Sequence, residues 1–219
     1  MNEPLLASTF LFRFSIPCRH YPGKWTTQGF DFGPAFVVPS FHGELNEAPM
    51  FADFRLGWND DGIFFSVRVQ GKKQSVWCRE TRIEDSDGLV LWLDTRNQKN
   101  VHRASRFCHQ FAFMPLGGGR QYGEPTAKML PINRAREEPK AVPAKLLQVR
   151  SEKRVDGYLL EGHIPSQAIT GYDPEEHSKL GFTYAIIDRE FGWQTFHLGS
   201  EFPFASDPSL WGMLELQHD

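Results

Sequence analysis

From Ile63 to Gln70 the chain alternates, with Ile63, Phe65, Val67 and Val69 on one side and Ser66, Arg68 and Gln70 on the other. A period of two marks a strand with one face buried. Residues 51–58 have strand composition, and Asn59-Asp60-Asp61-Gly62 supplies residues that tolerate the positive φ of a tight reversal, so the two arms predict a hairpin. Residues 87–94, Asp-Gly-Leu-Val-Leu-Trp-Leu-Asp, read as one buried strand with a carboxylate at each end. The same reading places strands at 107–114, 146–150, 158–164, 182–188, 193–198 and 211–216. No amphipathic helix of three turns competes.

Many short strands separated by Gly, Pro, Asn and Asp predict an all-β fold, an antiparallel β-sandwich of two sheets, jelly-roll or immunoglobulin-like, with long loops. One domain over 1–219 is expected, since that length buries a sizeable core. Two segments interrupt the pattern. Residues 19–49 are rich in Gly and Pro with isolated aromatics such as Tyr21, Trp25, Phe30 and Phe36, and read as a long surface wrap. Residues 115–145 hold Gly117-Gly118-Gly119, five prolines and the charges Arg134, Arg136, Glu137 and Glu138; a structureless loop of that length is functional or mobile.

Composition narrows the partner. A formal charge of -3 beside 14% aromatics, nineteen Phe among them, points away from nucleic acid and membrane surfaces and toward a neutral or locally read ligand. Three cysteines without a close pair, and an amino terminus over residues 1–14 without the features of an export signal, lead to the expectation of a cytoplasmic protein with reduced thiols.

Three passages resemble the family 9 carbohydrate-binding modules and their wider sandwich relatives of the DOMON type. Residues 54–69 resemble the family's paired strands turning through Asp-Gly. Residues 87–94 resemble its Asp-bracketed strand. Gly157 to Pro165 followed by Gly181 to Asp188 resembles its Gly-Tyr, Glu, Ile-Pro strand and the Gly-Phe strand closing on Asp. The resemblance implies a non-catalytic module binding a saccharide or glycan, with structural calcium held by loop carboxylates and carbonyls. Where the family often places a Glu that hydrogen-bonds sugar, this chain has Val90. The alternative is a sandwich that has lost its sugar site and serves a protein partner.

Candidate ligand contacts follow. A sugar ring packs its C–H face on an indole and needs planar polar groups around its rim. Trp77 sits in the polar run 72–84 outside any alternating strand and Trp193 follows the turn-like segment 188–192, and two loop aromatics sandwiching the sugar is what the resemblance implies for them; Phe204 is held in reserve. Trp58, Trp92 and Trp211 lie in strand patterns and read as packing residues. Arg79 and Arg106, within the basic set Arg79, Arg82, Arg96, Lys99, Arg103 and Arg106, are candidate polar contacts. His109 shares a face with Phe107, Phe111 and Phe113, and is open to three roles: a core imidazole, a ligand contact or a metal ligand.

Zinc is disfavoured because Cys108 and His109 are adjacent and point to opposite faces, and haem because His109 and Met114 do so too. Calcium has Asp60, Asp61, Asp85, Asp87 and Asp94 near turns, without EF-hand spacing. For catalysis, Glu84, Asp85, Asp87, Glu161 and Asp188 could supply a carboxylate pair. No Gly-x-Ser-x-Gly elbow or His-Glu-x-x-His motif accompanies them, so an enzyme is not expected.

Overall fold

The computed structural model describes residues 8–218; residues 1–7, on which part of the export reading rests, and Asp219 lie outside them. The strands are β1 (Ser15–His20), β2 (Ala52–Asn59), β3 (Gly62–Val69), β4 (Gly88–Asp94), β5 (Cys108–Gly118), β6 (Glu124–Leu130), β7 (Gln148–Arg154), β8 (Gly157–Pro165), β9 (Lys179–Asp188), β10 (Gly192–Thr195) and β11 (Gly212–Gln217). One short helix, α1 (Phe41–Asn46), precedes β2. The fold is all-β.

A single hydrogen-bonded path runs β6-β5-β4-β9-β11-β1-β2-β3-β8-β7, with β10 added beside β9. The path curls until its ends, β6 and β7, approach each other. Its halves face across the core, where Phe65 of β3 meets Phe113 of β5 at 4.5 Å between ring centroids. The antiparallel expectation is corrected at β1, which runs parallel to β11 along Ser15–Arg19 and then parallel to β2 through Arg19 and His20. β1 thus carries the sheet from one half to the other. Its six residues, Ser-Ile-Pro-Cys-Arg-His, are too short and too mixed to announce this.

Period two places Phe54, Leu56, Ile63, Phe65, Leu89, Leu91, Phe111, Phe113, Phe182 and Tyr184 in the main core. Val90, Trp92, Ala112, Ala185 and Ile187 point the opposite way, into a second cluster roofed by Leu198, Phe204 and Trp211. Both faces of β4 and β9 are therefore buried, which is why their sequences read as near-continuous apolar runs. Gly88 starts β4 at φ +155, and a Cβ there would sit 2.2 Å from the Phe113 carbonyl oxygen, so only glycine allows β4 and β5 to pair at this end.

The two interrupting segments hold more structure than their composition suggests. The aromatics of 19–49 are not isolated: Tyr21 packs on Phe64 at 5.2 Å, Phe30 and Phe32 meet at 4.8 Å, and Phe64 stacks on His163 at 4.1 Å. This wrap covers the outer face of β3 and β8. Within 115–145, β6 pairs antiparallel with β5 from Gln110↔Leu130 to Gly118↔Glu124, a strand hidden by Pro125 and by the mixed polarity of an edge.

Ser40 caps α1, its hydroxyl accepting the Gly43 N–H at 3.1 Å and donating to the Thr195 carbonyl at 2.7 Å. Ser40→Ala is expected to lower the unfolding free energy by about 1 kcal/mol, read as a lower urea midpoint at an unchanged slope. No helix among the described residues is long and apolar enough to cross a membrane.

Candidate functional site

The site begins with the carboxylates that bracket two strands. Asp87, at the entry of β4, and Asp188, the last residue of β9, are both fully buried and share the ammonium of Lys72. Lys72 Nζ lies 2.7 and 2.9 Å from the two Asp188 oxygens and 3.2 Å from Asp87 Oδ2. Burial alone would push the lysine down, but the hydrogen bond to Asp188 and the two negative charges outweigh it and hold its pKa above the ordinary value. Burial, with the Asp188 charge beside it, raises the Asp87 carboxyl; the backbone N–H groups and Lys72 oppose that rise.

These carboxylates hold the loops. Asp87 accepts the backbone N–H of Trp77 at 3.0 Å on one oxygen and that of Arg189 at 2.8 Å on the other. Asp188 Oδ1 accepts the N–H of Glu190 at 2.9 Å, while the Glu190 side chain accepts from Lys73 and Gln74. The loop carrying Trp77 and the turn leading to Trp193 therefore hang from one buried charge cluster. β10 completes the arrangement by pairing Trp193 with Ile187.

The product is a cavity of about 330 Å³ with Trp77 and Trp193 on its wall, Arg82, Glu84, Asp85 and Arg189 as polar lining, and Ile187 and Asp188 beneath. Both indoles are partly exposed. The Arg189 guanidinium sits 4.8 Å from the Trp77 ring and that of Arg79 5.6 Å. Such cation–π stacking holds a planar donor fork in place. Arg82 and Asp85 form an ion pair on the rim. A hydrophobic platform with fixed donors and acceptors around it is suited to a polyhydroxylated ring.

Of the five residues nominated from sequence, Trp77 and Trp193 meet at this cavity, and Arg79 stands against Trp77 without lining it. The other two do not line it, and for His109 the core role is the one the structure fits. His109 is fully buried beside Phe111, its Nε2 accepting the Thr170 N–H at 2.9 Å, and burial drives its pKa down to about 4. It is a core imidazole, out of reach of any ligand. Arg106 is exposed over the Phe107 ring at 5.1 Å, away from the cavity. The reserve residue Phe204 is 1% exposed, edge-on to Trp92, and Trp58, Trp92 and Trp211 are buried packing residues. Val90 lies among the apolar residues of the second cluster and offers nothing to a hydroxyl.

Lys72 and Arg189 escaped the sequence reading. Nothing in the polar run around Lys72 distinguishes the one lysine that turns inward. The only signal was indirect: two strand-bracketing aspartates that would need a cation if buried.

No cluster of acidic side chains among the described residues supports the calcium expectation. Among the described residues no group of three or more His, Cys, Asp or Glu side chains could hold a metal ion. Asp87 and Asp188 already hold Lys72, Asp85 holds Arg82, and Asp94 accepts the N–H groups of Arg96 and Gln98 at 2.9 and 2.8 Å as a turn cap. Glu161, the remaining acid considered for catalysis, lies on β8 beneath the wrap, bound to Arg150 and the Phe30 N–H.

An all-β domain with an aromatic, polar-rimmed cavity built from its loops is a ligand-binding module. The chain belongs to the carbohydrate family 9 binding domain-like family, whose model matches residues 38–219. Its fold is similar to that of a family 9 carbohydrate-binding module from Caldicellulosiruptor kristjanssonii solved in complex with cellotriose, at TM-score 0.63 and 12% identity over 94% of this chain and 95% of that one. A family 9 module from the same organism in complex with glucose matches at TM-score 0.61 and 13% identity, over 94% of this chain and 97% of that one. No curated protein matches the chain.

Proposed function

We propose that this domain is a non-catalytic carbohydrate-binding module whose cavity between Trp77 and Trp193 holds a saccharide. The observation that carries the reading is the convergence of two partly exposed indoles, 116 residues apart in sequence, on one polar-rimmed cavity. In this reading Trp193 packs against the C–H face of a sugar ring. Arg189, held over Trp77, donates to hydroxyls, and Glu84 accepts from them. The family and the glucose and cellotriose complexes of similar folds support a gluco-configured ring as the first ligand to test. A binding rather than a hydrolytic role is supported by the state of the acids: Asp188 is tied to Lys72 and Asp85 to Arg82, which leaves Glu84 without a carboxylate partner free to work with it.

The same proposal takes the curled sheet as a two-layer sandwich of the jelly-roll kind, with the loops at one end presenting the cavity. Three free cysteines, two of them buried, support a reducing compartment as its place of work.

Titration calorimetry with glucose and cellotriose tests the proposal. Trp193→Ala is expected to weaken binding at least about tenfold, the loss typical of removing a central aromatic anchor. Trp193→Phe, which keeps a ring, retains most of the affinity. Undiminished binding by Trp193→Ala, or no binding of neutral or acidic glycans by the intact chain, would sink the reading.

A further inference from the structure

A second hollow, of about 500 Å³, opens between the β4–β5 connection, the β6–β7 connection and the loop before β11. It shares no lining residue with the saccharide cavity. Arg103, Arg134 and His102 line it, with Asp207, Ser206 and Pro203 opposite. Two permanent cations thus face a space that contains one acid.

That acid is already engaged. Asp207 Oδ1 accepts the Ser209 hydroxyl at 2.6 Å and the Ser209 N–H at 3.0 Å, and Oδ2 lies 3.1 Å from His102 Nδ1. Ser209 Oγ is also 3.0 Å from that same Nδ1, so serine and aspartate share one ring nitrogen. A nucleophilic triad needs the serine on the other nitrogen. The cluster orients His102; it does not activate Ser209.

The Arg103 guanidinium and the backbone that carries Arg134 are braced in place. Arg103 Nε donates to the Arg134 carbonyl at 3.0 Å, which fixes the guanidinium while leaving both terminal nitrogens for another partner. The Arg136 N–H donates to the Ala104 carbonyl at 2.7 Å and the Glu137 N–H to the same oxygen at 3.3 Å, tying the two connections together. Arg134 itself is held at φ 60, a left-handed conformation that non-glycine residues rarely adopt and that the brace sustains. Neither Glu137 nor Glu138, on the same connection, lines the hollow.

We propose that this hollow binds an oxyanion, a carboxylate, phosphate or sulfate group, with Arg103 and Arg134 as its paired forks. Guanidinium groups match the planar or tetrahedral oxygens of such groups through two parallel hydrogen bonds. The site recognises charge, whereas the Trp77–Trp193 cavity recognises a ring face, so either can stand without the other.

The test is calorimetry on the full chain at fixed sodium chloride, with inorganic phosphate, inorganic sulfate and glucuronate as separate titrants. Saturable one-to-one binding of at least one of them is expected, and the one that binds names the source of the anion. Arg134→Gly keeps the positive φ and the carbonyl that holds Arg103 while removing the fork, and is expected to weaken binding at least about tenfold. Arg103→Lys keeps a charge but loses the two-point geometry, and gives a smaller loss. Arg106→Ala, an exposed arginine outside the hollow, and glucose binding by Arg134→Gly both remain at wild-type level. Failure of all three titrants to saturate, or an equal loss from Arg106→Ala and Arg134→Gly, overturns the proposal.

Discussion

Lys72→Met is expected to cost about 3–5 kcal/mol of unfolding free energy, the usual loss on removing one partner of a buried ion pair, and to abolish saccharide binding. Both effects have one cause. Asp87 and Asp188 are 0% and 1% exposed, so without the ammonium they become two like charges facing each other away from water. Relief comes only if a carboxyl takes up a proton or the loops open, and opening releases Trp77 and the turn before Trp193 together. The pH response separates this account from simple loss of packing. In the variant a buried carboxyl has a raised pKa, so its contribution to stability is present in acid and disappears as pH rises through that value. The deficit relative to wild type should therefore narrow as pH falls toward 5. In the wild type the raised lysine pKa keeps the pair intact from neutral pH up through the ordinary lysine range, and stability from it is lost only above that. Urea midpoints of both proteins across pH 5 to 8 decide the matter: a deficit independent of pH would mean that the charge cluster does not hold the loops.

How much of this was legible from sequence depends on where each residue's partner lies. The β2–β3 hairpin was readable because alternation and the Asn-Asp-Asp-Gly turn are both local. Gly and Pro mark 19–49 as a wrap, but not the face it covers, although Phe64 gives a clue: it is an apolar residue on the face that Ser66 and Arg68 make polar, and it needs a cover. β1 was missed because its parallel partners, Gly57 and Met213, are distant in sequence and nothing in six residues encodes them. The two site indoles stand out because Trp77 falls in a polar run outside the alternating strands and Trp193 follows a segment with turn chemistry. Arg106 is a candidate on its charge alone, and His109 stays open between core and ligand because polarity and facing point different ways. The facing argument that puts His109 with Phe111 and Phe113 places it in the core, and on that strand a polar residue sharing the face of two buried phenylalanines is packing before it is binding. Lys72 shows the opposite failure, since a lysine in a polar run gives no sign that it turns inward to two aspartates.

The described histidines include two that make acid the domain's weak point. Burial drives the pKa of His109 and of His197 down to about 4 from the ordinary 6.5, and the Nδ1 atom of each is buried without a hydrogen-bond partner. In the unfolded chain both rings take up protons as pH falls through 6.5; in the folded chain they stay neutral until about 4. A lowered histidine pKa therefore removes stability across that window, and a shift from 6.5 to 4 corresponds to about 3 kcal/mol for each ring. Two such losses approach the whole stability of an ordinary domain, about 5–15 kcal/mol. Asp87, Asp94 and Glu161 act in the other direction, because burial raises their pKa and the folded state takes up protons more readily than the unfolded one, so they offset part of the loss. The net expectation is a steep fall in the urea midpoint between pH 6.5 and 4.5. His109→Gln keeps an acceptor for the Thr170 N–H but cannot titrate, and should remove a clear part of that fall, the rest coming from His197 and from His42 and His163, whose pKa values burial also lowers. A midpoint that stays level from pH 7 to 4.5, or a fall of the same size in His109→Gln, would show that these rings do not set the acid limit.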